Sequence, residues 1–424
     1  MRILYNIAFF IFGIFYLPYL VVTRRYRYGL KEKLGFLSKE LKSICAKNKI
    51  IWIHAVSLGE MKAIGPLTPL LRKAFPGRKL IFSTITNTGY NAAARMLEEE
   101  EAAFYLPFDL SFIVNKVVDI VKPEIFISME AELWPNLIES VYAGGAKLVM
   151  VNGRISPRSY SRHKKARFFI SNLLKKFSIL LMQSESDAKR IKELGAPGER
   201  VFVTGNLKFD LGLKASEGDR DRLRKKIGLE EKEMLLICGS TSKGEENVIL
   251  DCFKTLKNEY ADLRLLIAPR HIERAAEIER LLTKNGFNSA KISLLSRQTS
   301  VISRQPIFIL DTIGELRSMY SAGDIVFVGG SLIKRGGQNP IEPASFAKPI
   351  IFGKYTYNFQ DVIRMLLENN AGIEIQDGPG LYKAIKGLLN DPEKRNQMGY
   401  NAKVVVDKNS GSCQRTIEQI LSNS

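Results

Sequence analysis

The sequence predicts an α/β protein of two Rossmann-like, doubly wound domains facing a cleft, with an N-terminal membrane anchor helix. Three observations lead there. Short β-rich runs alternate with helix-length segments in two series; a polar, charged stretch at about 210–233 separates the series; and the chain opens on an uncharged apolar run at 3–22. The alternation is the βαβ rhythm of a parallel sheet. At 424 residues, two large domains fit a soft expectation of roughly 150 residues per domain.

The opening run, ILYNIAFFIFGIFYLPYLVV, is long enough in helical form to cross a bilayer core of about 30 Å. It ends at Val21, Val22 and Thr23 and meets Arg24, Arg25, Arg27, Lys31 and Lys33. That is not the short core and small-residue cleavage site of a signal peptide, and the positive-inside bias puts everything after it in the cytoplasm. Insertion into one leaflet, with Pro18 bending the helix, is the alternative to spanning. The first series of strands is expected at 50–56, 79–84, 125–129, 148–151, 179–182 and 201–204, and the second at 235–238, 265–268, 307–310, 325–328 and 350–352. The segments 391–406 and 411–421 read as helices. The domains are expected at 1–22 (anchor), 23–212 and 213–424, joined near 211–216. Doubly wound domains bind ligands at the carboxyl ends of their strands, so the strand ends are the places to search.

Apolar residues at 45% and charged residues at 25% exclude disorder and a many-span membrane protein. The four cysteines are scattered without a C-x-x-C pair, and the three histidines lie far apart, so neither a zinc site nor a disulfide framework is supported. No metal and no cofactor is expected, and a reducing cytoplasm is the natural setting. A net charge of +19 calls for an explanation through solubility, a polyanionic partner or a membrane surface. Nucleic acid is not expected as that partner, since no aromatic-rich basic motif or recognition-helix signature is present.

Polar motifs follow the strands. In I-W-I-H-A-V-S-L-G-E, Glu60 opens a helix straight after a strand, although Ser57-x-x-Glu60 also reads as a capping box. In F-I-S-M-E-A-E-L-W-P, Glu130 and Glu132 follow a buried strand, where an unpaired charge is costly; an exposed helix start is the alternative. Lys208 follows a strand and a Gly205-Asn206 turn. Past the strand at 148–151 come Arg154, Arg158, Arg162, His163, Lys164 and Lys165, either a solvated face or a site for a phosphorylated partner. In the second half, L-L-I-C-G-S-T-S-K-G-E-E is a strand, turn and helix start suited to an anion, though it is neither a G-x-G-x-x-G nor a Walker loop. Arg270 in L-L-I-A-P-R-H stands at another strand end and suits a phosphate. D-T-I-G-E-L follows, and in G-G-Q-N-P-I-E-P-A Asn339 is placed as N-cap, Pro340 as N1 and Glu342 as N3, which again reads equally as a capping box.

Taken together, S-L-G-E, M-E-x-E-L-W-P, N-G-R-x-S-x-R-S, G-N-L-K-F-D, G-S-T-x-x-G-E-E, P-R-H-x-E-R, D-T-x-G-E-L and G-G-Q-N-P-I-E-P-A, in this order after an apolar amino terminus, resemble the 3-deoxy-D-manno-octulosonic acid (Kdo) transferases. The resemblance implies a GT-B fold, inverting transfer of Kdo from CMP-Kdo to the bisphosphorylated lipid A precursor at the inner membrane, and no metal. By position it implies Glu60 as general base, with Glu130 and Lys208 supporting the transition state. It further implies a CMP site at Pro269, Arg270, Ile313, Gly314, Glu315, Asn339, Pro340, Ile341 and Glu342. Arg154, Arg158, Arg162 and Lys164 are read as the acceptor face. Gln338 stands where many relatives have histidine. A GT-B enzyme using a UDP-sugar, or a non-catalytic membrane-tethered basic module, are the rival readings.

Overall fold

Runs of branched and aromatic residues such as KIIWIH at 49–54 and LRLLIAP at 263–269 are buried almost throughout, as strands covered on both faces of a parallel sheet must be. The computed structural model describes residues 5–6, 29–210, 219–294 and 305–423, and the chain divides into one unit of residues 1–212 with 410–424 and a second of residues 213–409.

The first unit holds β1 (Lys49–His54), β2 (Arg78–Thr84), β3 (Ala102–Tyr105), β4 (Pro123–Met129), β5 (Lys147–Gly153), β6 (Phe177–Met182) and β7 (Val201–Val203) in one parallel sheet ordered β3-β2-β1-β4-β5-β6-β7. Strand addition runs outward from β1 to β3, then reverses to the other side of β1 at β4. Carboxyl ends of β1 and β4 therefore lie side by side at the switch point, with His54 opposite Ser128. Trp52 fills the core beneath, its ring 5.4 Å from Phe104 and 5.2 Å from Phe126.

The second unit repeats the plan with β8 (Met234–Thr241), β9 (Leu263–Pro269), β10 (Ser289–Lys291), β11 (Ile307–Ile309), β12 (Ile325–Val328), β13 (Ile350–Gly353) and β14 (Gly372–Ile375), ordered β10-β11-β9-β8-β12-β13-β14 and again all parallel. Its switch point lies between β8 and β12.

Three strands were not anticipated: β3, β10 and β14. All are edge strands. β10 and β14 are only partly buried and carry no continuous apolar run, while β3 is a four-residue run, AAFY, of which only Phe104 and Tyr105 are buried. The expected domain boundary at the carboxyl terminus is corrected. The helix Ser412–Ser422 packs Cys413, Ile417 and Ile420 into the core of the first unit, not the second, and Arg415 Nε donates to Thr204 O at 3.0 Å.

The expected anchor at 3–22 lies outside the described residues apart from Tyr5 and Asn6. The Tyr5 hydroxyl donates to Asp109 Oδ2 at 2.9 Å, and Asn136 Nδ2 donates to Asn6 Oδ1 at 2.8 Å. Among the described residues, no helix is long and apolar enough to cross a membrane.

If the carboxyl-terminal helix is part of the first core, Ile417→Ala should lower stability by about 2–4 kcal/mol in urea melts. Hydrogen exchange should then speed up in the helix Thr68–Ala74, which it packs against, and stay unchanged across 213–409.

Candidate active site

Glu60 lies in the first turn of the helix Leu58–Ile64, immediately beyond β1. Ser57 caps that helix, its Oγ accepting from Glu60 N–H at 3.3 Å. The Glu60 carboxylate turns back, Oε1 accepting from the Ser57 hydroxyl at 2.8 Å and Oε2 from Val56 N–H at 2.8 Å. The capping bonds foreseen as an alternative are thus present, with the backbone partner one residue earlier than in the usual box. Each oxygen keeps a second lone pair. Glu60 is only 9% exposed, and burial, then the neighbouring charge of Glu130, push its carboxyl up to about 7.

Glu130 directly follows β4 and sits in the left-handed region at φ 55°, where a non-glycine residue is strained. Its N–H donates to Val151 O at 2.9 Å, so the sheet holds the conformation. Glu132 is half-buried and also raised, by burial first and by Glu130 second. Three carboxylates therefore meet at one switch point, close enough for the charge of Glu130 to be felt by both of the others. The expected alternative of an exposed helix start does not describe them, since the next helix, Pro135–Ala143, begins beyond both Glu130 and Glu132.

Lys208 occupies a short 3-10 turn, Leu207–Asp210, that packs on the Glu60 helix. Leu207 and Phe209 are buried to either side of it. Three side-chain acceptors shape the turn: Asn152 Oδ1 takes Leu207 N–H at 3.0 Å, Asn206 Oδ1 takes Lys208 N–H at 3.0 Å, and Asp210 takes Gly411 N–H at 2.7 Å and Cys413 N–H at 2.5 Å. Asn152 and Asp210 were missed as supports for this turn. Their only sequence signal was an amide and an acid inside motifs noticed for other residues. Arg154 is half-buried past β5, whereas Arg158, Arg162 and Lys164 lie exposed on the helix Pro157–Lys165. Tyr160 ties that helix to Glu193 through a 2.5 Å bond, and Lys164 Nζ stands 5.5 Å from the Tyr160 ring centre.

In the second unit every residue expected to hold nucleotide lies at or beyond the carboxyl end of a strand. Pro269 ends β9, and Arg270 is exposed, its N–H donating to Thr241 O at 2.9 Å. Beyond β11, Ile313 is 80% exposed, Gly314 has φ 88°, and Glu315 is paired with Lys226 at 2.8 Å, which holds its carboxyl below the usual range. Beyond β12, Asn339 Oδ1 accepts from Ile341 N–H at 3.0 Å and its Nδ2 donates to Glu342 Oε1 at 3.2 Å. The regular helix begins at Ile341, one residue after the expected N1, with Pro340 already in helical geometry.

Residues 28–211 match the family described as 3-deoxy-D-manno-octulosonic-acid transferase (kdotransferase), and residues 219–405 match glycosyl transferases group 1. The 3-deoxy-D-manno-octulosonic acid transferase of Haemophilus influenzae is 34% identical over 406 residues, covering 94% of this chain and 92% of that one. This chain belongs to the Kdo transferase family. It is a glycosyltransferase that transfers Kdo. The enzyme of the same description from Chlamydophila psittaci is 32% identical over 376 residues, covering 88% of this chain and 84% of its own. Among solved structures, a glycosyltransferase from Rickettsia africae superposes with TM-score 0.54 at 14% identity, covering 89% of this Kdo transferase and 97% of that chain. That likeness speaks to a GT-B-like fold alone.

A buried carboxyl raised from 4.5 to about 7 makes its contribution to stability below pH 4.5 and loses it as pH rises through 7, where the charge must form in the interior. Glutamine keeps the capping geometry without titrating. Glu60→Gln should therefore match the parent near pH 4.5 and exceed it above pH 7 by up to about 3 kcal/mol, read from denaturant melts across pH.

Proposed function

We propose that this Kdo transferase moves Kdo from CMP-Kdo to a hydroxyl of the bisphosphorylated lipid A precursor, with inversion, in lipopolysaccharide core biosynthesis. The observation that carries the reading is Glu60: a carboxyl at a switch point whose proton affinity lies near neutral pH. A general base works best when its pKa is near the working pH, and positioned bases contribute typically 10²- to 10⁴-fold. Glu60 would take the proton of the acceptor hydroxyl as it attacks the anomeric carbon. That carbon gains positive charge as CMP departs, and Glu130 and Lys208 are proposed to support that transition state electrostatically. Arg270 and the 339–342 helix start are proposed to hold the nucleotide, and the exposed Ile313, with Gly314 and Glu315, is proposed to join them. Arg154, Arg158, Arg162 and Lys164 suit the acceptor's phosphates. Family membership supports the choice of CMP-Kdo over a UDP-sugar, and the strand-end carboxylates argue against a merely tethering module.

The direct test is the purified protein with CMP-Kdo and lipid A precursor, products read by mass spectrometry. Glu60→Gln should lower kcat by about 10² or more while CMP binding persists. In the parent, kcat/KM should fall on the acid side of about pH 7, because only the ionised base accepts the proton. A Glu60→Gln enzyme with most of its turnover intact would remove the assignment.

CMP should raise the melting temperature more than UMP or UDP does, and Arg270→Ala should shrink the shift. A preference for UDP would transfer the protein to the UDP-sugar reading.

Placement at the cytoplasmic face of the inner membrane follows from the acceptor and the apolar run at 3–22. Insertion into one leaflet is favoured over spanning by one observation: Tyr5 and Asn6 bond to Asp109 and Asn136, while Lys33 O accepts from the adjacent Phe108 N–H at 2.8 Å. The first residues of the run and a residue after it thus attach to the same unit, whereas a single crossing leaves them on opposite faces. The intact protein should sediment with membranes in high salt. An Arg2→Cys variant should resist an impermeant maleimide applied to intact spheroplasts, and ready labelling would restore the spanning reading.

A further inference from the structure

Glu245 and Glu246 are buried side by side in the second unit, 0% and 2% exposed, and the proposed chemistry leaves both without a role. Burying one carboxylate is costly unless its oxygens are satisfied, and two in succession need a reason. Glu245 meets four backbone donors. Its Oε2 accepts from Ser242 N–H at 2.9 Å and Gly330 N–H at 2.6 Å, and its Oε1 from Ser331 N–H at 3.0 Å and Leu332 N–H at 2.9 Å. The turn so gripped leaves β12, and it in turn grips the next segment: Gly330 O accepts from Gly337 N–H at 2.8 Å and Gly329 O from Gln338 N–H at 3.0 Å. Asn339 is the next residue. A single carboxylate thereby sets where the 339–342 helix start emerges.

Glu246 does the same for the neighbouring loop. Its Oε1 accepts from the Thr241 hydroxyl at 2.9 Å and from Arg274 Nη1 at 2.7 Å. Thr241 O holds Arg270 N–H at 2.9 Å, so Glu246 fastens the Arg270 loop at its start and at its end. The packing leaves no slack: a Cβ on Gly329 would stand 2.6 Å from Ser240 O and 2.7 Å from Thr241 Cα.

We propose that Glu245 and Glu246 are positioning residues for the sugar-nucleotide donor, Glu245 acting through the 339–342 segment and Glu246 through Arg270, without either touching the donor. The inference rests on the assignment of those segments to the nucleotide. Glu245→Gln places an amide NH₂ against backbone donors and should raise the Kd for CMP and the KM for CMP-Kdo ten-fold or more. The acceptor KM should stay within two-fold, and kcat at saturating donor near the parent value. A general loss of structure would not give that split.

The deciding experiment is a pair of double-mutant cycles read by CMP titration calorimetry on the full-length protein. Glu245→Gln should add less than two-fold in an Asn339→Ala background, and Glu246→Gln less than two-fold in an Arg270→Ala background. Fully additive losses, or a Glu245→Gln protein whose CMP Kd stays within two-fold of the parent, overturn the proposal while leaving the donor assignment standing. Intact CMP binding in both Asn339→Ala and Arg270→Ala overturns the donor assignment and the proposal with it. Should Glu245→Gln not fold, Glu245→Asp keeps the charge, shortens the reach by one methylene and is judged by the same criteria.

Discussion

The constraint on which the site depends is the burial of one carboxyl near another at the end of a parallel sheet. Glu60 and Glu130 are delivered by β1 and β4, the two strands between which the first sheet reverses its order. The Glu60 carboxylate is pinned by Val56 N–H and the Ser57 hydroxyl, and the Glu130 backbone is held left-handed against Val151. The proximity of like charge, added to burial, is what gives Glu60 its affinity for a proton near neutral pH.

The second sheet makes the opposite use of the same place. Glu245, like Glu60, lies in the first turn of the helix after the strand that opens a switch point. Burial raises its carboxyl too, but backbone donors from the turn after β12 pull it back, where Glu60 faces another acid. One unit buries its switch-point acid near a like charge, which raises its proton affinity. The other surrounds the acid with donors and obtains a fixed loop. The neighbouring strand settles the difference: β4 runs into an acid, whereas β12 runs into a Gly329-Gly330 turn whose N–H groups point inward.

Legibility followed burial. The central strands could be read because both faces are covered, which forces unbroken apolar runs such as IIWI and LLIA. Edge strands β3, β10 and β14 escaped because the constraint relaxes where one side lacks a neighbour, although the fourth edge strand, β7, kept a readable VFV run. The carboxyl-terminal helix was readable as a helix, yet its partner was not, since its apolar face of Cys413, Ile417 and Ile420 would suit either core. The Ser57 cap was legible from spacing alone, whereas the helix after Asn339 starts one residue later than spacing suggested, with Pro340 at the cap position.

By itself the sequence determined the two α/β halves, the strand ends that carry polar groups, the family and the places to look for chemistry, because hydrophobic periodicity and local capping are properties of neighbouring residues. Only the tertiary structure decided which of those polar groups meet. Glu60 and Glu130 are seventy positions apart and Glu245 and Gly330 eighty-five, so whether a carboxylate finds another carboxylate or a row of N–H donors depends on strand order. Proton affinity and loop position result from that encounter, since both are set by the charges and dipoles within a few ångströms and not by the residue's own chemistry.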